Sequence, residues 1–423
     1  MSLTDDRRSA LMDLQERVRR ELLGNILPFW IQRSPDPDFG GFRGRIGGDG
    51  TVDPKAPKGA VLNARILWTF SALWQELGDT ACEETAHRAY QYFRDFFLDR
   101  EYGGVFWMLD YRGNPLNDRK QVYAQAFAVY GLARYFQATA DDEALNIAVD
   151  LFRLLEARCR DPFAEGYFEA FARDWDELQD VRLSPRDLNE KKSMNTHLHL
   201  LEAYTGLLQV WPDARLQDRL VKLVETFLDR ILDRPRAHLQ LFFNENWEVR
   251  SDVVSFGHDI EASWLLEEAG RVLQISRLTA DIRDAAEHIA RSVRREGVAE
   301  DGSILYERYG DGSVDEDRHW WPQAEGLVGF LNAYELTGEE CYLDAVLRLW
   351  DFIEEHLVDR ENGEWHWAVD ACGRPRRELD KVGPWKGPYH NGRACLEVLR
   401  RLDSLLSREQ PSLGELGIRG RKS

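Results

Sequence analysis

The stretch running from Gly103-Gly104-Val105-Phe106, through Tyr123-Ala124-Gln125-Ala126-Phe127-Ala128-Val129-Tyr130-Gly131-Leu132 and Thr139-Ala140-Asp141, to Gly166-Tyr167-Phe168 decides the fold. It opens with a Gly-aromatic extended piece and the turn signal Arg112-Gly113-Asn114, the chemistry of a tight β-hairpin. The period then changes. Apolar residues recur at i, i+3, i+4 and i+7 over 119–138 and again over 141–158, with only a turn at 139–141 between them. The first run is apolar on nearly every side, as a helix buried on two faces must be. After it comes a partner helix, and then Gly166-Tyr167-Phe168 starts the same order of events again.

Similar signals occur at Gly40-Gly41-Phe42, Leu241-Phe242-Phe243, Ser303-Ile304-Leu305-Tyr306 and Glu364-Trp365-His366-Trp367. Successive members are about 63, 63, 75, 62 and 61 residues apart, a repeat period. Gly47-Gly48-Asp49-Gly50, Gly310-Asp311-Gly312 and Cys372-Gly373-Arg374 supply further hairpin turns. Helical periodicity predicts twelve segments: 5–31, 63–77, 81–99, 119–138, 141–158, 193–210, 214–233, 257–274, 278–296, 319–337, 339–357 and 388–406. Gly78-Asp79, Trp211-Pro212-Asp213 and Thr337-Gly338-Glu339 break pairs of them as tightly as 139–141 does. Segments such as 81–99 and 214–233 carry charge on one face and suit an outer ring. The expected architecture is all-α: an (α/α)6 barrel of twelve helices with short β-hairpins in the connecting loops. Closure rests on the number six alone, and an open solenoid fits the same repeat. No Pro/Ser/Gly-rich linker interrupts it, so residues 1–423 are expected to form one catalytic domain, with a disordered tail from about 408 to 423.

Composition narrows the function. The 423 residues are 43% hydrophobic, ample for a core, and Lys plus Arg number 55 against 74 Asp plus Glu, a net charge of −19. Such a surface repels phosphate backbones and anionic lipid, which argues against nucleic-acid and membrane partners. The five cysteines, Cys82, Cys159, Cys341, Cys372 and Cys395, form no C-x-x-C pair and suit a reducing compartment. Met1-Ser2-Leu3-Thr4-Asp5-Asp6-Arg7-Arg8 has no apolar signal core, and no apolar run is long enough to span a bilayer. The expectation is a cytoplasmic protein, a monomer or weak homodimer. Aromatic residues make up 11% of the chain, and their flat faces are what pyranose rings stack on.

The unusual polar residues gather at one end of the predicted inner helices. Arg65 lies in the first turn of one and Tyr123 near the start of the next. Asn195, His197 and His199 open the third, His258 and Glu261 the fourth, His319, Trp320 and Trp321 the fifth, and Tyr389-His390-Asn391 the sixth, after Trp385. In a barrel these ends meet at one mouth, ringed by positive helix N-termini that favour developing negative charge. Among ten histidines, His87, His238, His288 and His356 read as solvated, whereas His199, His258 and His390 converge from three repeats. His258 and Glu261 are i, i+3 and share a face, so the carboxylate is expected to hold the imidazole. His197 and His199 point to different sides; His199, one turn from Asn195, is the one expected to face the mouth. Trp68, Trp264 and Trp350 read as core, and Trp385, in Gly383-Pro384-Trp385-Lys386-Gly387-Pro388, as a ligand platform.

Three chemistries fit this set. His and Glu are metal ligands, but H-x-x-E is not the H-E-x-x-H zinc spacing. A glycoside hydrolase needs two carboxylates, for which Glu261 and Glu325 are available. Proton transfer at a carbon beside a carbonyl needs a base and an acid near neutrality, which two imidazoles supply. The last fits an imidazole-rich mouth best. A non-catalytic carbohydrate-binding protein has no use for three ionisable imidazoles there.

Residues 194–204, Ser255-Phe256-Gly257-His258-Asp259-Ile260-Glu261-Ala262-Ser263-Trp264, Arg318-His319-Trp320-Trp321-Pro322-Gln323-Ala324-Glu325 and Trp385-Lys386-Gly387-Pro388-Tyr389-His390-Asn391 resemble the cellobiose 2-epimerases of the N-acylglucosamine 2-epimerase superfamily. The resemblance runs from about residue 10 to 405. It implies an (α/α)6 barrel that converts the reducing-end glucose of a β-1,4-linked disaccharide, such as cellobiose or lactose, into mannose with no metal or nucleotide cofactor. The superfamily also holds mannose isomerases and N-acylglucosamine 2-epimerases. By resemblance, His390 and His258 are the acid/base pair at C2, Glu261 supports His258, and His199 assists ring opening. Arg65, Tyr123 and Asn195 bind the O1–O3 edge, Trp321 and Trp385 stack on sugar rings, and Trp320 and Glu325 complete the substrate site. An aldose C2 proton is acidic only beside a free aldehyde, so the ring opens first. Abstraction gives a cis-enediolate, and Arg65, permanently cationic, is placed to stabilise it. Proton return to C1 instead of C2 gives a ketose, so a slow side isomerisation (lactose to lactulose) is expected.

Overall fold

The computed structural model describes residues 3–408. The inner helices are α2 (Ala60–Leu77), α4 (Val122–Thr139), α6 (Met194–Val210), α8 (Phe256–Leu273), α10 (Trp320–Thr337) and α12 (Tyr389–Arg408). The outer ones are α1 (Asp5–Glu21), α3 (Thr80–Tyr92), α5 (Asp142–Arg158), α7 (Ala214–Thr226), α9 (Ser276–Glu296) and α11 (Glu340–Phe352). Outer helices α1, α3, α7 and α11 each end in a π turn, and α1 then runs on as Leu27–Arg33. Left-handed residues Gly78, Ala140, Gln274 and Gly338 end four inner helices, and Asp79, Asp141 and Asp213 cap the outer helices that follow α2, α4 and α6.

The ring is closed. Each inner helix packs on the next, and α12 packs back on α2. Trp68 meets Tyr389 edge-on at 5.3 Å, and a β-bridge joins Ile46 of the first unit to Val382 of the last. An open solenoid has no such contacts. The fold is therefore the expected (α/α)6 barrel. The expected disordered tail lies, beyond Arg408, outside the described residues.

Short strands tie the units together around the mouth. The two residues before an inner helix pair antiparallel with the hairpin of the following unit: Lys58-Gly59 with Leu109-Met108, Lys120-Gln121 with Phe171-Ala170, and Lys192-Ser193 with Phe243-Phe242. Val254-Ser255 and Arg318-His319 do the same with Arg308-Glu307 and Val369-Ala368.

A repeated ion pair under these hairpins escaped the sequence reading. Lys58, Lys120, Lys192 and Lys381, all buried, bind Asp36, Asp99, Asp161 and Asp359 at 2.7–2.9 Å. The same aspartates accept backbone N–H groups of their own turns, as Asp99 does from Glu101 and Tyr102. One carboxylate thus shapes the turn while the ammonium locks the neighbouring chain onto it. Removing one partner leaves a buried charge unpaired, which costs about 3–5 kcal/mol.

The fourth residue of an inner helix reaches back to the preceding hairpin. Gln125 exchanges hydrogen bonds with Val105, Gln323 with Ile304, and Asp259 accepts from the Leu239 N–H. His197 has this role in α6: its Nε2 accepts from Tyr167 N–H at 2.9 Å and its Nδ1 donates to the Ser193 carbonyl at 2.6 Å. It is structural and turned from the mouth, as expected. His238 departs from expectation. It is buried between Asp259 (2.7 Å) and Glu296 (3.1 Å), because its hairpin folds against α8 and α9. Burial opposes its charge, yet the two carboxylates raise its pKa. His288 is exposed, and His87 and His356 are half-buried. Trp264 and Trp350 are core, and Trp68, also buried, borders a cavity at the far end of the barrel. None of the described helices is long and apolar enough to cross a membrane.

Candidate active site

Inner-helix positions two and six face the barrel axis at the mouth: Tyr123, Asn195, Trp321 and His390 at the second, and Arg65, His199, Glu261 and Glu325 at the sixth. All of these but Glu325 line a cavity of about 690 Å³. Ten of the eleven expected site residues line it: Arg65, Tyr123, Asn195, His199, His258, Glu261, Trp320, Trp321, Trp385 and His390. Glu325 does not line it; it hydrogen-bonds to the residues that do.

A buried guanidinium organises the base of the cavity. Arg393 Nη2 binds Glu325 at 2.7 Å and Glu261 at 2.9 Å, and its Nη1 binds Glu202 and the Tyr389 hydroxyl. The carboxylates in turn hold histidines. Glu325 accepts from His390 Nδ1 at 2.6 Å, and Glu202 from His199 Nδ1 at 2.9 Å. In both cases Nδ1 carries the proton and Nε2 keeps the lone pair. His258 Nδ1 pairs with Ser255 Oγ at 2.8 Å.

This differs from the expected His258–Glu261 pair. Glu261 turns to Arg393 on the axis, where a charge-assisted bond outweighs one to a neutral ring. The i, i+3 rule does hold one helix earlier, between His199 and Glu202. Glu202 and Arg393 were not singled out from the sequence, although each lies three residues after a mouth histidine, the same spacing that drew attention to Glu261.

Burial sets the protonation states. It pushes His258 down to about 3, with His199 and His390 adding to the effect. It pushes His390 down to about 3 against the pull of the Glu325 bond, and it lowers His199 as well. All three imidazoles are neutral at pH 7. Burial also raises Glu261 well above the usual carboxylate range, with Glu325 beside it, whereas Arg393 and His390 overcome burial at Glu325 and hold it low. Of the three carboxyl groups around Arg393, Glu202 and Glu325 are held low and Glu261 is the one pushed toward its protonated form. Burial raises the Tyr123 phenol well above its usual range, so it stays protonated and is a hydrogen-bond donor.

Arg65 donates to the Tyr123 hydroxyl (3.0 Å) and the Trp385 carbonyl (2.7 Å), and lies 4.5 Å over the Phe127 ring. The Trp385 loop is anchored by Lys386, which binds buried Glu364 at 2.8 Å. Trp321 contacts both His258 (centroids 4.7 Å) and His390 (5.7 Å). Trp320 packs on Trp367 at 4.7 Å. Asn195 Oδ1 and Trp320 Nε1 are buried with no hydrogen-bond partner among the described residues, so one acceptor and one donor remain for a ligand. Tyr306, Glu307, Trp367 and Arg186 also border the cavity and were not expected. They come from hairpins and from a loop near 183–187, where no periodic signal exists. Burial, with Asp315, pushes Glu307 up to about 7.

Glu261, Glu325 and His390 each offer a ligand atom within 4.8 Å of the others, a spacing that suits a metal ion. Arg393 already binds both carboxylates there, and a cation beside that guanidinium would be repelled.

Residues 40–394 match the family model described as N-acylglucosamine 2-epimerase (GlcNAc 2-epimerase). The chain belongs to this family. It is 49% identical over 387 residues to a cellobiose 2-epimerase of Bacteroides fragilis, covering 91% of this chain and 98% of that protein. A cellobiose 2-epimerase of Dictyoglomus turgidum is 40% identical, covering 92% and 99%. The solved structure of cellobiose 2-epimerase from Bacillus thermoamylovorans B4167 superposes with a TM-score of 0.89 at 42% identity, over 92% of this chain and 99% of that one. Membership of a family of sugar epimerases agrees with a mouth built from imidazoles, aromatic rings and an arginine that lines the cavity.

Proposed function

We propose that the protein is a cellobiose 2-epimerase, interconverting glucose and mannose at the reducing end of β-1,4-linked disaccharides. The observation that carries this is the trio of neutral imidazoles around one cavity: His199 and His390 have Nδ1 bound to a carboxylate and Nε2 open, and His258 has Nδ1 held by Ser255. Exchange of configuration at C2 needs a base on one face and an acid on the other, which His258 and His390 supply in turn. His199, backed by Glu202, moves the proton that opens the pyranose ring. The open-chain aldehyde then makes C2–H acidic.

The cis-enediolate carries negative charge on O1 or O2. Arg65 and the Tyr123 hydroxyl, with the inner-helix N-termini, form a preorganised positive site for it. Glu325 steadies the imidazolium that His390 becomes, and Ser255 takes the supporting place at His258 expected of Glu261. Glu261 keeps Arg393 in position. Asn195 hydrogen-bonds the O2–O3 edge, while Trp320, Trp321 and Trp385 give apolar faces to the two rings. A hydrolase reading is less favoured, because Glu261 is tied to Arg393 and Glu325 does not line the cavity. We read the chain as one catalytic domain, a cytoplasmic monomer or weak dimer, since one chain completes the site and its five cysteines are unbridged.

The test is proton NMR of cellobiose in D2O with purified enzyme and EDTA. Deuterium at C2 of newly formed glucosyl-mannose is the expected result, abolished by His390→Ala or His258→Ala. Free glucose would mean a hydrolase. Turnover of mannose or N-acetylmannosamine, with cellobiose untouched, would refute the disaccharide assignment.

A further inference from the structure

The far end of the barrel axis holds a second cavity, of about 470 Å³. Glu202 and Arg393 form the partition between it and the mouth, since both border it while binding His199, Glu261 and Glu325 on their other side. On this side the partition bears an aromatic floor: Trp68 stacks on Tyr130 (5.2 Å, 24°), and Trp264 is the third ring. Above the floor stand Gln75, Glu76, Gln137 and Gln209, from the last turns of α2, α4 and α6.

Two groups bordering this cavity are left open. Arg134 donates from Nη1 to Gln137 at 2.7 Å and lies 5.8 Å from the Trp68 ring, but its buried Nε has no acceptor among the described residues. Glu268 receives no hydrogen bond and makes no ion pair among the described residues, and it shares the cavity with Glu397. An anionic ligand would meet Glu268, Glu397 and the negative ends of the inner helices. A cationic one would meet Arg134 and Arg400. A neutral ligand with many hydroxyls avoids both penalties: it accepts from Arg134, donates to Glu268 and lays an apolar ring face on Trp68 and Tyr130. The volume lies in the range of small-molecule sites.

We propose that this cavity is a second saccharide site, separate from the mouth, that takes a neutral hexose-sized sugar. Equilibrium dialysis of the full chain with radiolabelled D-glucose tests it. The background is a variant whose mouth platform is removed, Trp321→Ala/Trp385→Ala, so that binding at the far end is read alone. The expected result is one glucose bound per chain in that background. Binding should weaken at least tenfold when either Arg134→Met or Gln209→Trp is added. Circular dichroism melting identifies any variant that has failed to fold, and the other then decides. In the otherwise unaltered enzyme, these two substitutions should leave cellobiose turnover within twofold. No binding in the mouth-deleted background, or binding unchanged by both added substitutions, overturns the proposal. Failure of the disaccharide reading is a different outcome: turnover absent, with far-end binding intact.

Discussion

Replacing Glu325 by Gln separates the two carboxyl groups that share Arg393 Nη2. The substitution keeps an acceptor near His390 Nδ1, now 2.6 Å from a carboxylate oxygen, but removes its charge. Hydrogen bonds to charged groups contribute about 1.5–3 kcal/mol and neutral ones about 0.5–1.5, so the resting enzyme loses about 1–1.5 kcal/mol of support for the ring. More is lost as His390 takes up the C2 proton, because an imidazolium beside a carboxylate gains on the order of 4 kcal/mol at an effective dielectric of 20. With about half the charge developed in the transition state, that further loss is about 2 kcal/mol, or a fall in kcat of about 30-fold. Glu261→Gln should behave otherwise. Burial already favours the uncharged form of Glu261, and an amide oxygen still accepts from Arg393, so kcat should fall less than about threefold. The assay is cellobiose epimerisation followed by NMR at saturating substrate, with thermal melting of both variants. Equal losses from the two substitutions, or a larger loss from Glu261→Gln, would show that the proton is assigned to the wrong carboxyl group.

Acid stability should follow the buried imidazoles. His197 is pushed down to about 4, and His258 and His390 to about 3, against roughly 6.5 in an unfolded chain. The folded state therefore binds fewer protons between those values, so its stability is fully present above about pH 6.5 and falls as the pH drops. Each ring costs about 1.4 kcal/mol per pH unit, about 4 kcal/mol for the three, and the melting temperature should drop steeply from pH 6.5 to 5. A melting temperature that stays level over that interval contradicts the neutral buried rings. Lys192→Met leaves Asp161 with no ion-pair partner among the described residues, and should lower unfolding free energy by about 3–5 kcal/mol in urea titrations; a loss below 1 kcal/mol would mark the pair as ornamental. Trp385→Ala retains the backbone carbonyl that Arg65 uses, so KM for cellobiose should rise about three- to tenfold with kcat little changed. A fall in kcat at constant KM would instead place Trp385 in the chemical step.

The twelve helices were legible in the chain because their signals are local. Apolar residues at a 3.6 period and turn groups such as Gly78-Asp79 act over a few residues, and the predicted segments agree with the helices to within a few residues at most ends. The mouth was legible too, since residues at the starts of inner helices must meet if the repeat closes, and ten of the eleven expected side chains line one cavity. Tertiary structure alone decided closure, through Trp68 against Tyr389, and the partners of the charged groups. Spacing places Glu261 and His258 on one helix face. It says nothing of Arg393, which arrives 132 residues later in the chain and takes the carboxyl group for itself. His238 was hidden for the same reason: Asp259 and Glu296 reach its hairpin from two helices. Helix periodicity is written along the backbone, whereas charges in a buried, low-dielectric interior pair through space with whichever opposite group folding brings nearest.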